Sequence, residues 1–448
     1  MNPSVQFDVV VVGAGFAGLS AARELVALGR DVVVLEASGR VGGRTDTHHD
    51  QDRLIELGGQ WTGPGQDRVL ALAAELGVDT FQTPHEGVDL SVVGGVVTES
   101  SQDANTAGVA AAVEQLDVLA ADLPAGEPWR VPGADRLDTV TLNDWLTSEI
   151  GNDGVRALLR QMLEGLMTTR AEDMSLLTIL HSARTSGSLA AALGIEGGAQ
   201  ELRLVGGMHQ MAVRLADELG ARVRLGHPVV RIEQESKPDC VVISTSTERF
   251  EASHVVVAVP PARWREITFA PVLPAAHAQL PAAMPLGSVI KMQMMFGRPF
   301  WREAGWSGLV TDDSGPFAFM IDNSQPGTGE GVLATFLSAQ AAVEFGDASL
   351  GVDAQTRRRE LLLDHVKHVF GPDIPDPVAY VDRDWGAVPW IEGGYSGVMR
   401  PGGWVSCGSA LREPVGRIHW ASSESATMWT GYVEGAIESG RRAALEIV

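Results

Sequence analysis

The sequence predicts an α/β plus α+β protein, with a Rossmann-like domain built from three separated segments and a mixed domain inserted between them. A strand–turn–helix–strand signature opens the chain, strand patterns return in its middle, and a strand followed by an amphipathic helix closes it.

In the opening signature, residues 9–12 are four consecutive valines, the composition of a strand buried on both faces. Gly13-Ala14-Gly15-Phe16-Ala17-Gly18 follows, then a helical pattern over 19–28 that stops at Gly29. Residues 32–35 form a second buried strand that ends at Glu36. Two glycine-rich loops come next, Arg40-Val41-Gly42-Gly43-Arg44 and Gly58-Gly59-Gln60-Trp61, and then a helix over about 67–76. Helical patterns at 109–119 and 155–167 lie in a stretch without a catalytic motif. Strand patterns resume at 228–232, 241–245 and 254–259, the last closed by Pro260-Pro261. A mixed stretch covers 286–390, and a strand at 417–421 precedes a helix from about 431. The expected division is residues 1–80, 205–285 and 391–448 for a cofactor domain and 81–204 with 286–390 for a substrate domain. A ligand is expected in the cleft between them.

Composition excludes several classes. The chain has 448 residues, 45% of them apolar and 20% charged, which argues against disorder. Its net charge of −23 repels nucleic acid and anionic membranes. Two cysteines, Cys240 and Cys407, make neither a disulfide framework nor a zinc site, so no metal is expected and a reducing, cytoplasmic setting fits. Residues 1–7 predict no leader, and no apolar run reaches the roughly 18–20 residues of a membrane span. The oligomeric state, a homodimer among the options, is left open.

The glycine motif has a dinucleotide reading. Gly13 allows a tight turn, Gly15 lets a pyrophosphate approach the backbone, and Gly18 allows helix and strand to pack closely. The helix N-terminus favours the phosphates. Glu36, 21 residues after Gly15, accepts hydrogen bonds from ribose hydroxyls and repels a 2′-phosphate. Arg44 is a charge-assisted donor for a phosphate oxygen. The loop with Gly59, Gln60 and Trp61 suits a bulky ring lying along the backbone, which favours FAD over NAD.

Further matches make the pattern specific. They are Leu35-Glu36-Ala37, Arg44-Thr45, Leu57-Gly58-Gly59-Gln60-Trp61, the run from Pro285 through Lys291, and Trp429-Thr430-Gly431-Tyr432-Val433-Glu434-Gly435-Ala436. In order and spacing the chain resembles the flavin-containing monoamine oxidase family, within the wider amine oxidase and polyamine oxidase group. The resemblance implies hydride transfer from an amine α-carbon to flavin N5, hydrolysis of the imine to a carbonyl, and reoxidation by O2 giving hydrogen peroxide. By resemblance Lys291 holds a water near N5, and Tyr432 forms one wall of an aromatic cage. Tyr395 is expected as the second wall, with Trp390 the alternative. Val433 opens a helix aimed at the flavin C2 carbonyl, Glu424 lies near the cofactor, and the Val229 backbone meets the adenine. Gln200, Leu193, Leu176 and Phe319 are expected to line the substrate cleft, whose Leu, Met and Phe content suits an apolar amine.

The sequence also departs from the family. Tyr395 follows Gly393-Gly394 where mammalian members carry the flavin-linked cysteine, so FAD is expected to bind non-covalently. Ser396 stands where a cage aromatic is usual, Ser38 replaces an arginine, and Ser422-Ser423-Glu424 replaces Gly-Thr-Glu. Two other readings stay open. An L-amino-acid oxidase-like enzyme would need a carboxylate clamp such as Arg184 or Arg203, and a non-catalytic FAD protein would have no use for Lys291 beside Tyr432.

Overall fold

A computed structural model describes residues 5–50, 53–237 and 239–448. Residues 1–4 of the segment expected to carry no leader lie outside them. β1 (Val5–Val12), α1 (Phe16–Ala27) and β2 (Val32–Leu35) form the expected unit, with Val10 opposite Val33 in a parallel pair. Valines on both faces of β1 are buried, which a strand covered by helices on each side requires.

The sheet containing β1 has eight strands. Its order is Val223–Arg224, β2, β1, Arg249–Val257, Cys240–Thr245, Val229–Lys237 and Thr268–Ala270, with Ile418–Trp420 beside the second half of Arg249–Val257. Chain segments far apart in sequence therefore share one sheet. The strand expected at 254–259 begins earlier, at Arg249, and its first half pairs antiparallel with Cys240–Thr245. Arg249-Phe250-Glu251-Ala252 alternates, with Phe250 and Ala252 buried, so a search for continuous apolar runs passes it over.

A second sheet runs in the order Ala379–Asp384, β3 (Val289–Phe296), Gly331–Ser338, Phe317–Asp322, Trp306–Asp312, Val88–Val93 and Val96–Glu99. It is antiparallel except where Val88–Val93 meets Trp306–Asp312. All eight residues of β3 are buried. Ile290, Met292, Met294 and Phe296 enter a core shared with Leu362 and Val366 of the helix Ala354–Phe370. The period-2 alternation turns Val289, Lys291, Gln293 and Met295 the other way; Met295 packs on Ile55 and Leu57. Lys291 thus faces the second glycine loop. Among the described residues, no helix is long and apolar enough to cross a membrane.

The closing helix, α2 (Val433–Leu445), packs on α1. A Cβ placed on Gly440 would stand 2.1 Å from the Ala17 carbonyl oxygen, and one on Gly18 only 1.9 Å from the Gly13 oxygen. Backbone contact of this kind admits no side chain. Gly440→Val is expected to lower stability by about 3 kcal/mol, because α2 must lift off α1; equilibrium denaturation checks this, and an unchanged midpoint would refute the packing.

Candidate active site

A cavity of about 830 Å³ reaches from the carboxyl ends of β1 and β2 to the second sheet. That size lies within the usual range for ligand sites, roughly 300–1,000 Å³. Gly13, Gly15, Glu36, Arg44, Gly59, Gln60, Trp61, Val229 and Val433 all line it, as do Lys291, Tyr395, Tyr432, Gln200, Leu193 and Phe319.

At the β1 end, Gly13 has a φ of +101°, a conformation open to glycine but strained for other residues. Nothing lies within 4 Å of a Cβ built on Gly15, so its backbone opens onto the cavity. Glu36 accepts the Ala14 N–H at 2.7 Å and the Ser38 N–H at 2.9 Å, one on each carboxylate oxygen. These bonds fix the carboxylate and leave lone pairs for hydroxyl donors. Arg40 donates to the carbonyls of Thr45 and Gly43, both at 2.8 Å, and so ties the first glycine loop shut.

Two site expectations need correction. Arg44 lines the cavity as expected, and its guanidinium also donates to Glu424 at 2.6 Å and to the Tyr395 carbonyl at 2.9 Å. Glu424 does not line the cavity. It is buried against Arg44 and the Gly397 N–H, because an isolated carboxylate there would be too costly to desolvate. Burial pushes its carboxyl up, but Arg44 and these hydrogen bonds outweigh that and hold it below the usual carboxylate range. Leu176 is not at the wall either. It opens the helix Leu176–Thr185, whose Thr178, His181 and Ser182 share the face toward the cavity, while Leu176 lies about 200° around from Thr178 in the core. Gly18 also stays outside, where its packing role puts it.

At the other end, Lys291 is buried, 1% exposed. Its Nζ donates to the Gly58 carbonyl at 2.9 Å and to Gln60 Oε1. It also stands 5.1 Å from the centre of the Trp61 ring and 5.7 Å from that of Phe336. Burial pulls the ammonium from its ordinary 10.5 to about 7; Glu56 opposes this and Arg203 adds to it. Burial raises the Tyr395 phenol, with Tyr432 contributing, and raises Tyr432 as well, so both stay neutral. Tyr395 meets Phe336 edge-on at 5.7 Å, and Tyr432 meets Trp429 edge-on at 5.0 Å. Phe336 was not singled out in the sequence. Its signal was available only as a pairing, since it sits opposite Lys291 on the neighbouring strand. Trp390 and Ser396 also line the cavity. Gln200 is held by its Nε2 on the Ala192 carbonyl at 3.1 Å.

Neither arginine considered as a carboxylate clamp faces the cavity. Arg203 is fully buried on Glu56, and Arg184 donates to the Leu123 carbonyl. Cavity-lining Arg40, Arg44 and Arg263 are each already engaged, the last by Glu392. No group of three or more metal-ligating side chains occurs among the described residues.

The residues present suit a bulky dinucleotide: bare backbone at Gly15, a fixed acceptor at Glu36, and a long cavity ending between a lysine and aromatic rings. The flavin containing amine oxidoreductase family model matches residues 16–448. AofH of Mycobacterium tuberculosis, named as a flavin-containing monoamine oxidase, is 37% identical over 100% of this chain and 97% of its own. A putrescine oxidase solved with putrescine bound superposes with a TM-score of 0.93 at 32% identity, covering 99% of both chains. Cyclohexylamine oxidase from Brevibacterium oxydans gives 0.93 at 31% identity over the same share. Family model, relatives and geometry converge: this chain belongs to the flavin containing amine oxidoreductase family and is a flavin-dependent amine oxidase.

Proposed function

We propose that the protein binds FAD non-covalently and oxidises an apolar amine, with residues 1–80, 205–285 and 391–448 holding the cofactor and 81–204 with 286–390 forming the substrate side. The observation that carries this reading is one continuous cavity bounded by Gly15 and Glu36 and by Lys291, Tyr395 and Tyr432. When bound, FAD supplies the redox chemistry, taking a hydride from the carbon next to nitrogen and passing its electrons to oxygen.

Each side chain then has a role. Glu36 receives the ribose hydroxyls, Val229 borders the adenine, and the bare backbone at Gly13 and Gly15 admits the pyrophosphate beside the N-terminus of α1. The N-terminus of α2 at Val433 offers partial positive charge to a reduced ring. Tyr395 and Tyr432 present neutral ring faces that guide an amine. Lys291 spends two N–H groups on Gly58 and Gln60. Its remaining valence, a third N–H when charged and a lone pair when neutral, is left for a water.

Other features support the finer parts. Neither Cys240 nor Cys407 lines the cavity, which favours non-covalent binding. The carboxylates on its wall are Glu36 and Glu266; the latter pairs with Arg263 and Arg265. A second ammonium on the substrate would thus lack a partner beside Lys291, whereas Leu193 and Phe319 suit an apolar amine. The acidic surface and unpaired cysteines favour a cytoplasmic enzyme without nucleic-acid or membrane partners.

Five measurements test this reading. Acid denaturation should release FAD, and Gly15→Val should stay folded but purify colourless. Added without oxygen, apolar monoamines should bleach the yellow absorbance at least about tenfold more efficiently than a short diamine; equal bleaching would refute the apolar assignment. Lys291→Met should slow the return of colour on admitting oxygen by about a hundredfold. Between pH of about 7 and 10.5 the folded chain holds Lys291 neutral and the unfolded chain holds it charged. The unfolded state therefore binds more protons, stability rises with pH across that window, and Lys291→Met should remove this part of the slope.

A further inference from the structure

Behind Lys291 a chain of buried amides runs from cavity-lining Gln60 to Asn323 and Gln293, two residues off the cavity wall that the roles above do not use. Gln60 Nε2 donates to Asn323 Oδ1, Asn323 Nδ2 donates to Gln293 Oε1 at 2.9 Å, and Gln293 Nε2 donates to the Glu56 backbone carbonyl at 2.7 Å. All three amides are at most 2% exposed. Gln293 lies two residues after Lys291 on β3 and shares its face.

The last acceptor sets the direction of the whole chain. A backbone carbonyl cannot donate, so Gln293 must turn its N–H there and its oxygen toward Asn323. Asn323 must then turn its oxygen toward Gln60, which leaves the Gln60 oxygen for Lys291. Reversing any one amide would set donor against donor at one junction and acceptor against acceptor at the other. The far end is pinned as well. Arg203 donates to the Asn323 backbone carbonyl at 2.9 Å and to Glu56 at 3.2 Å, and the other Glu56 oxygen accepts the Met208 N–H at 2.8 Å.

We propose that Asn323 and Gln293 are positioning residues for Lys291: their amides keep the Gln60 carbonyl on Nζ and so direct its remaining valence into the cavity. This rests on the role given to Lys291 above. With Gly58 as sole acceptor the amine would rotate; a second acceptor of fixed orientation stops it.

The chain contains three lysines, Lys237, Lys291 and Lys367, so lysine labelled with ¹³C at the ε-carbon gives three resonances, and Lys291→Met identifies one. In flavin-loaded Gln293→Met and Asn323→Leu, the Gln60 amide is free to turn its N–H groups toward the lysine. The Lys291 midpoint should fall by about one unit in either variant. Return of colour with oxygen should slow about tenfold, and combination with Lys291→Met should slow it no further than Lys291→Met alone. An unchanged midpoint, or losses that multiply in the double variant, would overturn the proposal, as would failure of both variants to fold. Should Lys291→Met regain colour at the parent rate while the midpoint still falls in the other two, the oxygen role of Lys291 is lost and the positioning role stands.

Discussion

A buried amine on β3 is the constraint around which the site is organised. Lys291 sits at 1% exposure with two oxygen acceptors and two aromatic faces as its surroundings. Desolvating an ammonium is costly, and two hydrogen bonds offset only part of it, so the charge becomes easy to lose near neutrality. Gly58 and Gln60 cannot serve it unless the second glycine loop lies flat against β3, and the packing of Ile55 and Leu57 on Met295 holds it there.

The cofactor end depends on a different constraint, the absence of side chains. Gly18 and Gly440 let α1 approach both β1 and α2, and Gly15 leaves bare backbone at the cavity. Arg44 joins the two ends. Through Glu424 and the Tyr395 carbonyl it ties the first glycine loop to the segment that carries Tyr395 and Gly397. Arg44 is thus a structural clasp as well as a cavity-lining residue, and the acid expected at the cofactor is its partner.

The βαβ unit was legible in the sequence because it depends on local rules, whereas Lys291 and Tyr432, which line the cavity, were singled out by the family resemblance. A glycine turn, a buried valine run and a helix with one apolar face carry their signal within about twenty residues. Phe336 had no such signal, since its place beside Lys291 comes from antiparallel register. Leu176 was misplaced because sequence gives a helix's period but not which face meets the cavity.

The sequence by itself determined that the chain would build a dinucleotide fold, since that rests on steric demands of short segments, while its amine-oxidising reading came from resemblance in the order and spacing of motifs. Tertiary structure alone decided that Arg44 clasps Glu424, that Arg203 is buried on Glu56, and that three amides from separate strands and loops line up behind Lys291. These are contacts between residues up to 380 positions apart, formed only when distant segments close around a common core, and no local periodicity encodes them.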